Sequence, residues 1–322
     1  MMIYIRKQTV QEILDIASTE IEALKLFGDC GYTKEQLQAI NRLLAIYNYN
    51  ICITCDLGVT NQDKRDLIYN IDIIKYLSNV RRLLVTNFPY NKELDSIEFV
   101  QYTPLLQRLS ILGQIKKSIS FEKLLNLKHL DSLNFDQYLD ISKKQCTVIN
   151  SLLQLKELGA NRLDAISLTP NPNMKRLEIF SKLKNWECLP NIFPNLEILY
   201  LKRQSNCTDF SFISQFENLK ELYLYWTFGL ETLPDLSKLQ NLERLELYGC
   251  PNLYYGVEQI SSLTKLRRFC ASEQTRLTVE DFENVLQKVK TLKSVHITFR
   301  KNNMANKDMD KLMNKYNWKN SL

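Results

Sequence analysis

The chain has 322 residues, of which 45% are hydrophobic and 24% are charged, with eight glycines and eight prolines. This composition is typical of an ordered protein and excludes long flexible linkers. The net charge of +6 falls well short of the dense basic face that neutralises nucleic-acid phosphates, so nucleic-acid binding is not indicated. No stretch reaches the roughly 18 apolar residues of a membrane-spanning helix, and the N-terminus lacks the pattern of a cleaved signal peptide.

The cysteines indicate a reducing compartment. They follow no disulfide spacing, and several lie at apolar positions: Cys30, Cys52, Cys55, Cys146, Cys188, Cys207, Cys250 and Cys270. We therefore expect free thiols in a cytoplasmic protein, or in one delivered to a host cell by a route that needs no signal. The abundance of Asn, Lys, Ile and Tyr indicates AT-rich coding and a bacterial source.

Two helical patterns are predicted near the N-terminus, after a short strand at residues 2–5. The sequence Thr9-Val-Gln-Glu12 has the form of a capping box, and so does Thr33-Lys-Glu-Gln36. Apolar residues recur at helical spacing after each box: Val10, Ile13, Leu14, Ala17, Ile21 and Leu24 in the first, and Leu37, Ile40 and Leu44 in the second. Two amphipathic helices in this position predict a cap that covers an apolar edge.

The next segment leads into a repeated pattern. Residues 50–54 alternate apolar and polar side chains and predict a degenerate first strand, and residues 62–77 have helical spacing. A frame of apolar residues then begins at Leu77, Val80, Leu83 and Val85. The same frame is clearest in residues 216–250, where a second copy starts 23 residues after the first.

Ten copies of this frame follow one another at intervals of 19 to 26 residues. Their third apolar positions are Leu83, Leu109, Leu133, Leu158, Leu177, Leu199, Leu222, Leu245, Phe269 and Val295. The frame resembles the leucine-rich repeat, whose period is roughly 20–29 residues. The resemblance covers residues 77–298 and implies one short strand per unit, with the leucines pointing into the core and the residues between them on a concave face.

The resemblance implies an α/β leucine-rich-repeat solenoid, with a curved parallel sheet on the concave face and short helices and turns on the convex face. We predict a helical N-terminal cap over residues 1–76, repeats over 77–299, and a C-terminal cap or tail over 300–322. Thr278-Val-Glu-Asp281 predicts a helix on the convex side, and Met309, Leu312, Met313 and Tyr316 predict a capping helix. A basic docking tail is the alternative for this last segment.

One position departs from the family pattern. The turn that follows each strand usually carries Asn or Cys, whose side chain bonds to backbone groups. Cys250 fits, but the equivalents elsewhere are Phe88, Gln114, Tyr138, Leu163, Lys182, Gln204, Thr227, Gln274 and Arg300. A continuous asparagine ladder is therefore absent.

The sequence predicts no catalytic residue, metal site or cofactor. The two histidines, His129 and His296, lie in distant repeats, and the Cys52-x-x-Cys55 pair has no second pair to complete a zinc site. Glycine-rich phosphate-binding motifs are absent. Some bacterial leucine-rich-repeat effectors are ubiquitin ligases, and an enzyme in the N-terminal region stays open as an alternative, although residues 1–76 are short for such a domain.

The predicted concave face changes character from residue 176 onward, where aromatic and charged residues gather. We predict that this surface binds a protein partner, with contributions from Glu178, Phe180, Tyr200, Lys202, Arg203, Tyr223, Tyr225, Trp226, Arg244, Glu246, Tyr248 and Arg268. Tyr, Trp and Arg are enriched at binding hot spots. The role would be that of a non-enzymatic adaptor, toxin-neutralising protein or host-targeting effector. Two alternatives stay open: a carbohydrate- or nucleic-acid-binding solenoid, and rings that only stack along the sheet.

Overall fold

The computed structural model describes residues 1–55, 66–87, 93–205 and 207–318. The chain divides into two compact units, of which the first covers Met1–Ala160 and the second begins at Asn161. Strands of each unit pair in parallel and in chain order. Each unit is therefore built by adding one strand at a time along the chain.

The first unit alternates short strands with helices that return the chain. Its strands are β1 (Met2–Ile5), β2 (Ala23–Phe27), β3 (Asn50–Cys55), β4 (Arg82–Asn87), β5 (Arg108–Gly113), β6 (Ser132–Asn134) and β7 (Glu157–Asp164), the last of which runs across the unit boundary. The α-helices are α1 (Val10–Leu14), α2 (Lys34–Ile46) and α3 (Lys143–Ser151), and 3-10 helices span Asn70–Tyr76, Glu98–Tyr102, Glu122–Asn126 and Asp136–Tyr138.

The second unit repeats this construction. Its strands are β8 (Arg176–Lys184), β9 (Ile198–Lys202), β10 (Glu221–Tyr225), β11 (Arg244–Tyr248), β12 (Arg268–Gln274) and β13 (Ser294–Phe299). The α-helices are α4 (Leu189–Ile192), α5 (Val279–Leu286) and α6 (Asn303–Lys315), and 3-10 helices span Ala165–Ser167, Trp186–Cys188, Ser211–Gln215 and Val257–Ser262. The connection from β10 to β11 contains no helix, as the proline at position 234 predicts.

The strand register confirms the repeat frame. Leu83, Leu109, Leu133 and Leu158 are successive partners in the first unit. Leu177, Leu199, Leu222, Leu245, Phe269 and Val295 are successive partners in the second. All ten side chains are at most 2% exposed. Since a fully buried leucine contributes roughly 1.5–3 kcal/mol, these ladders fix the register of the ten strands β4 to β13.

The N-terminal helical pattern is wrong beyond Leu14. α1 ends there, and Leu24 lies in β2, where it pairs with Ile3 of β1 and Ile51 of β3. Ile51 in turn pairs with Leu83, so β1 to β3 use the same inward positions as the predicted repeats. Pairing with strands on both sides overrides local helical spacing. The division into a cap at residues 1–76 and repeats from 77 stays a prediction.

The predicted helix starts are confirmed. Thr9, Thr33 and Thr278 each form a full capping box, at the N-termini of α1, α2 and α5. The predicted C-terminal helix is α6, whose Met309, Leu312 and Met313 are buried. For the pattern predicted at 62–77, residues 62–65 lie outside the described residues, and the remainder contains the 3-10 helix at Asn70–Tyr76.

Other buried side chains take the place of an asparagine ladder in the second unit. Gln204, Thr227, Cys250 and Gln274 are each at most 1% exposed. The Gln204 side chain accepts from the backbone N–H of Leu183 at 2.8 Å, and the Thr227 hydroxyl lies 2.9 Å from the Cys250 sulfur. The turns are thus bonded by amide, hydroxyl and thiol groups in succession.

Candidate partner-binding site

The side chains between the inward leucines form rows across the second unit. In one row Glu178, Tyr200, Tyr223, Glu246 and Cys270 are successive register partners. In the next row Lys202 pairs with Tyr225, which pairs with Tyr248. Neighbouring strands are about 4.8 Å apart, so members of one row are in side-chain contact distance.

Arginine and glutamate two residues apart form ion pairs on two of these strands. On β11, Arg244 donates from Nε and Nη2 to Glu246 Oε1 at 2.6 and 2.5 Å. On β8, Arg176 does the same to Glu178, also at 2.6 and 2.5 Å. Alternate residues of a strand point to the same face, which is why an Arg-x-Glu sequence closes such a pair. Glu246 is only 7% exposed, so its charge needs this partner.

Two tyrosine hydroxyls complete the polar network. Tyr225 donates to Glu246 Oε2, and Tyr223 donates to Glu221 Oε2. Burial raises the pKa of both tyrosines above the ordinary value, and the hydrogen bond to a carboxylate raises each pKa further. Both hydroxyls therefore stay protonated donors at physiological pH.

Six aromatic rings, which we call the aromatic patch, cover the middle of this face: Phe180, Tyr200, Tyr223, Tyr225, Trp226 and Tyr248. All six are partly buried, because each contacts at least one other. The ring of Tyr200 lies 5.2 Å from Phe180, 5.8 Å from Tyr223 and 5.1 Å from Tyr225. The Trp226 indole meets Tyr248 edge-on at 5.3 Å.

Trp226 occupies a left-handed backbone position, with φ of 51°. The equivalent residue after β9 is Arg203, with φ of 55°, and after β11 it is Gly249, with φ of 63°. The N–H groups of Arg203 and Trp226 donate to the carbonyls of Tyr225 and Tyr248 at 2.8 and 2.7 Å, which extends the ladder into the turn. Left-handed backbone costs a residue with a side chain roughly 1–2 kcal/mol.

The indole of Trp226 rests on Gly249. A Cβ atom at Gly249 would lie 2.5 Å from Cδ1 of the indole, closer than any real contact. The glycine therefore serves two needs, since it allows the positive φ and leaves room for the ring. Above the ring, the Lys202 ammonium lies 5.0 Å from the indole, and the Arg203 guanidinium lies 5.8 Å from it.

Three cations at this face have no acidic partner among the described residues. The Lys202 ammonium lies 5.8 Å from the Phe180 ring and 5.0 Å from the Trp226 ring. Arg203 is exposed, and Arg268 is partly buried beside Arg244 in the register. The carboxylates of Glu178, Glu221 and Glu246 are already engaged within the face. The charged side chains of this face that have no hydrogen-bond or ion-pair partner among the described residues are therefore positive.

All twelve predicted site residues are described, and the structure brings them onto five neighbouring strands and the turns after them. The printed register does not extend to Phe180, whose place in the patch rests on its ring contact with Tyr200. The predicted site does not include Arg176 and Gly249. The Arg-x-Glu spacing could have identified the first, and a glycine at a strand end beside a tryptophan could have identified the last.

The described residues contain neither a metal-ligand cluster nor a membrane-spanning helix. They contain no group of three or more His, Cys, Asp or Glu side chains placed to hold a metal ion. None of the helices found in residues 1–55, 66–87, 93–205 and 207–318 is long and apolar enough to cross a membrane. All eight cysteines are free thiols.

Parallel strands in chain order, inward leucine ladders and short helices between the strands define a leucine-rich-repeat fold. Among solved structures, the chain is similar to a leucine-rich-repeat protein of Leptospira interrogans, with 15% identity, coverage of 92% of this chain and 83% of the other, and a TM-score of 0.50. An internalin (InlF) of Listeria monocytogenes matches at 14% identity over 89% of this chain and 88% of the other, with a TM-score of 0.42.

The leucine-rich-repeat domain of the type III effector XopL matches at 17% identity over 64% of this chain and 73% of the other, with a TM-score of 0.42. At such identities the likeness shows the fold alone. Comparison with protein-family models and with curated protein sequences gives no match. Leucine-rich-repeat folds commonly act as scaffolds for protein interaction.

Proposed function

We propose that the chain is a non-enzymatic protein-binding module, and that the aromatic patch with Lys202, Arg203 and Arg268 is its contact surface. The observation that carries the proposal is the combination of six partly buried rings with three cations that have no acidic partner among the described residues. The matching partner is a protein segment that presents carboxylates beside apolar side chains. Aromatic and arginine anchors are the residue types that dominate such contacts.

Ring stacking accounts for part of this surface, because aromatic pairs along a sheet contribute to stability by themselves. Stacking gives no reason for a tryptophan at the left-handed position 226, where a glycine would be free of strain. It also gives no reason for cations left without carboxylates. A bound acidic partner would satisfy both features, since it would cover the indole and pair with the cations.

The biological role that we propose is that of a bacterial adaptor, toxin-neutralising protein or host-targeting effector. Eight free cysteines support residence in a reducing compartment, either the bacterial cytoplasm or a host cell that receives the protein. In each of these roles the protein acts by occupying a surface of its partner, and needs no catalytic group.

The test is affinity capture from lysates of the source organism and of a host, with wild type compared to a Tyr225→Ala/Trp226→Ala variant. A Tyr254→Ala/Tyr255→Ala variant is the matched control, because this adjacent pair is 47% and 62% exposed and lies outside the patch. A captured protein is then purified and titrated directly. We expect the patch variant to lose binding by about a thousandfold, from two truncated anchors of roughly 2 kcal/mol each, while the control binds as wild type.

A variant that removes the three positive charges provides a second test. A Lys202→Gln/Arg203→Gln/Arg268→Gln variant should weaken binding and remove most of its salt dependence. Equal binding by the patch variant and wild type would refute the proposed site. Binding of a purified polysaccharide or nucleic acid in place of a protein would refute the proposed partner class, and a large loss of stability in the patch variant would favour stacking alone.

A further inference from the structure

Five strands of the sheet begin with arginine, and these arginines differ in whether they have a carboxylate partner. Arg176 and Arg244 pair with the glutamate two residues on, and Arg108 Nη2 lies 2.7 Å from Glu157 Oε1. Arg82 and Arg268 have no such partner among the described residues. Their sequences explain this, because the residue two positions on is Leu84 or Cys270 in place of glutamate.

Of these two arginines, Arg82 is the one with a buried nitrogen that lacks a hydrogen-bond acceptor. Its Nε atom is buried and has no hydrogen-bond partner in the described part of the chain. In Arg176 and Arg244 the same atom donates to a carboxylate at 2.6 Å. A buried guanidinium nitrogen without an acceptor is unfavourable, so the position needs an oxygen that the described residues do not supply.

A cavity of about 380 Å³ lies beside Arg82 in the first unit. Its lining combines two guanidiniums with smaller polar groups and apolar walls: Arg82, Arg108, Asn50, Ser110, Leu83 and Leu84. Glu22 also lines it, but this carboxylate is 82% exposed and lies 3.7 Å from the amine of Met1. The volume falls in the range of small-ligand pockets, about 300–1,000 Å³.

We propose that this cavity binds a small organic carboxylate, which takes the place of the glutamate missing at position 84 and pairs with Arg82. The guanidinium fork suits a carboxylate. In the internal pairs of β8 and β11, Nε and Nη2 of the arginine both contact one glutamate oxygen. Asn50 and Ser110 provide further hydrogen bonds, and Leu83 and Leu84 contact the carbon skeleton of the ligand. This site lies in the first unit and is independent of the aromatic patch.

The test follows the arginine Nε–H resonances by NMR while acetate, succinate, citrate and benzoate are added separately, with sodium chloride to keep ionic strength equal. The Arg82 resonance is assigned by its absence from an Arg82→Gln variant. We expect a saturable shift of this resonance with at least one carboxylate. The dissociation constant, measured by calorimetry, should rise at least about tenfold in Arg82→Gln, since a charged hydrogen-bonded pair is lost.

A second variant keeps Arg82 and removes its need for a ligand. Leu84→Glu recreates the Arg-x-Glu pair of β8 and β11, so this variant should keep its thermal stability yet lose carboxylate binding. Arg42→Gln and Ile46→Glu are the matched controls, because both side chains are exposed on or beside the solvent face of α2 and lie outside the cavity. Both controls should bind as wild type.

Four results would overturn the proposal. One is that none of the four carboxylates gives a saturable shift. Another is that Leu84→Glu binds a carboxylate with the same dissociation constant as wild type. The third is a response to a glutamate-rich peptide without a response to the small acids, which would assign the missing carboxylate to a macromolecular partner. A dissociation constant, measured by calorimetry, that is the same in Arg82→Gln as in wild type would also refute it, because the site would then lie elsewhere.

Discussion

Gly249→Ala tests whether the Trp226 indole is seated as the structure has it. The substitution adds a methyl group at a residue with φ of 63°, and this group would lie 2.5 Å from Cδ1 of the indole. The left-handed backbone alone costs about 1 kcal/mol. Displacing the ring also forfeits its contacts with Tyr248 at 5.3 Å and Lys202 at 5.0 Å, which together contribute about 1–2 kcal/mol. We expect a total loss of about 2–3 kcal/mol.

A double-mutant cycle separates the two terms. In a Trp226→Ala background the ring is gone, so Gly249→Ala should cost only the backbone term of about 1 kcal/mol. The measurement is the free energy of unfolding in urea, followed by far-UV circular dichroism for wild type, both single variants and the double variant. A coupling energy of about 1–2 kcal/mol is expected. Equal costs in both backgrounds, within about 0.5 kcal/mol, would show that the indole does not lie over Gly249.

Three further predictions concern the core, the network and the thiols. Leu222→Asp should unfold the second unit, since it places a charge at a site that is 0% exposed. A cooperative unfolding transition like that of wild type would mean that the repeat frame is wrong. In the unfolded state tyrosine loses its proton from about pH 10, before Tyr225 does in the folded state, so the free energy of unfolding should fall as pH rises through this range. Tyr225→Phe should lessen this fall. An equal dependence of the free energy of unfolding on pH in both proteins would contradict the raised pKa. In the native state a thiol reagent should modify Cys30 and Cys188 well before the six buried cysteines, and uniform rates would contradict the burial pattern.

The repeat frame could be predicted from the sequence because it depends on burial, which a regular spacing of leucines records directly. Once Leu199, Leu222 and Leu245 are aligned, the residues between them must share a face, so the aromatic rows follow from the same alignment. The fold of the repeats and the order of residues across the patch are therefore both local properties of the chain. Neither required knowledge of side-chain conformation.

β2 could not be predicted in the same way. Its Leu24 continues a helical spacing from Val10, and the alternation of Leu24 with Leu26 spans only five residues. The strand forms because β1 and β3 offer backbone partners on both sides, and these partners are distant in sequence. Strand formation that depends on such pairing leaves a weak local signal.

The polar details of the patch also depend on three-dimensional contacts. That Tyr225 donates to Glu246, and that Glu246 already holds Arg244, decides which charges remain for a partner. The sequence shows the residues but not these pairings, because they depend on which rotamers the crowded rings allow. That Arg244 and Glu246 contact a partner stays a prediction. These two residues pair with each other, whereas Lys202, Arg203 and Arg268 have no carboxylate partner among the described residues.

The left-handed turn residue after each strand links the stability of this face to its proposed function. Arg203, Trp226, Gly249 and Glu273 share the same left-handed backbone, with φ of 55°, 51°, 63° and 56° respectively. Only Gly249 adopts it without strain, and its missing side chain is the space that the indole fills. A glycine at 226 would relieve roughly 1–2 kcal/mol of strain and would leave that space empty. The chain instead holds a tryptophan there, near two cations, which is the arrangement expected of a residue placed to meet a partner rather than to stabilise a turn.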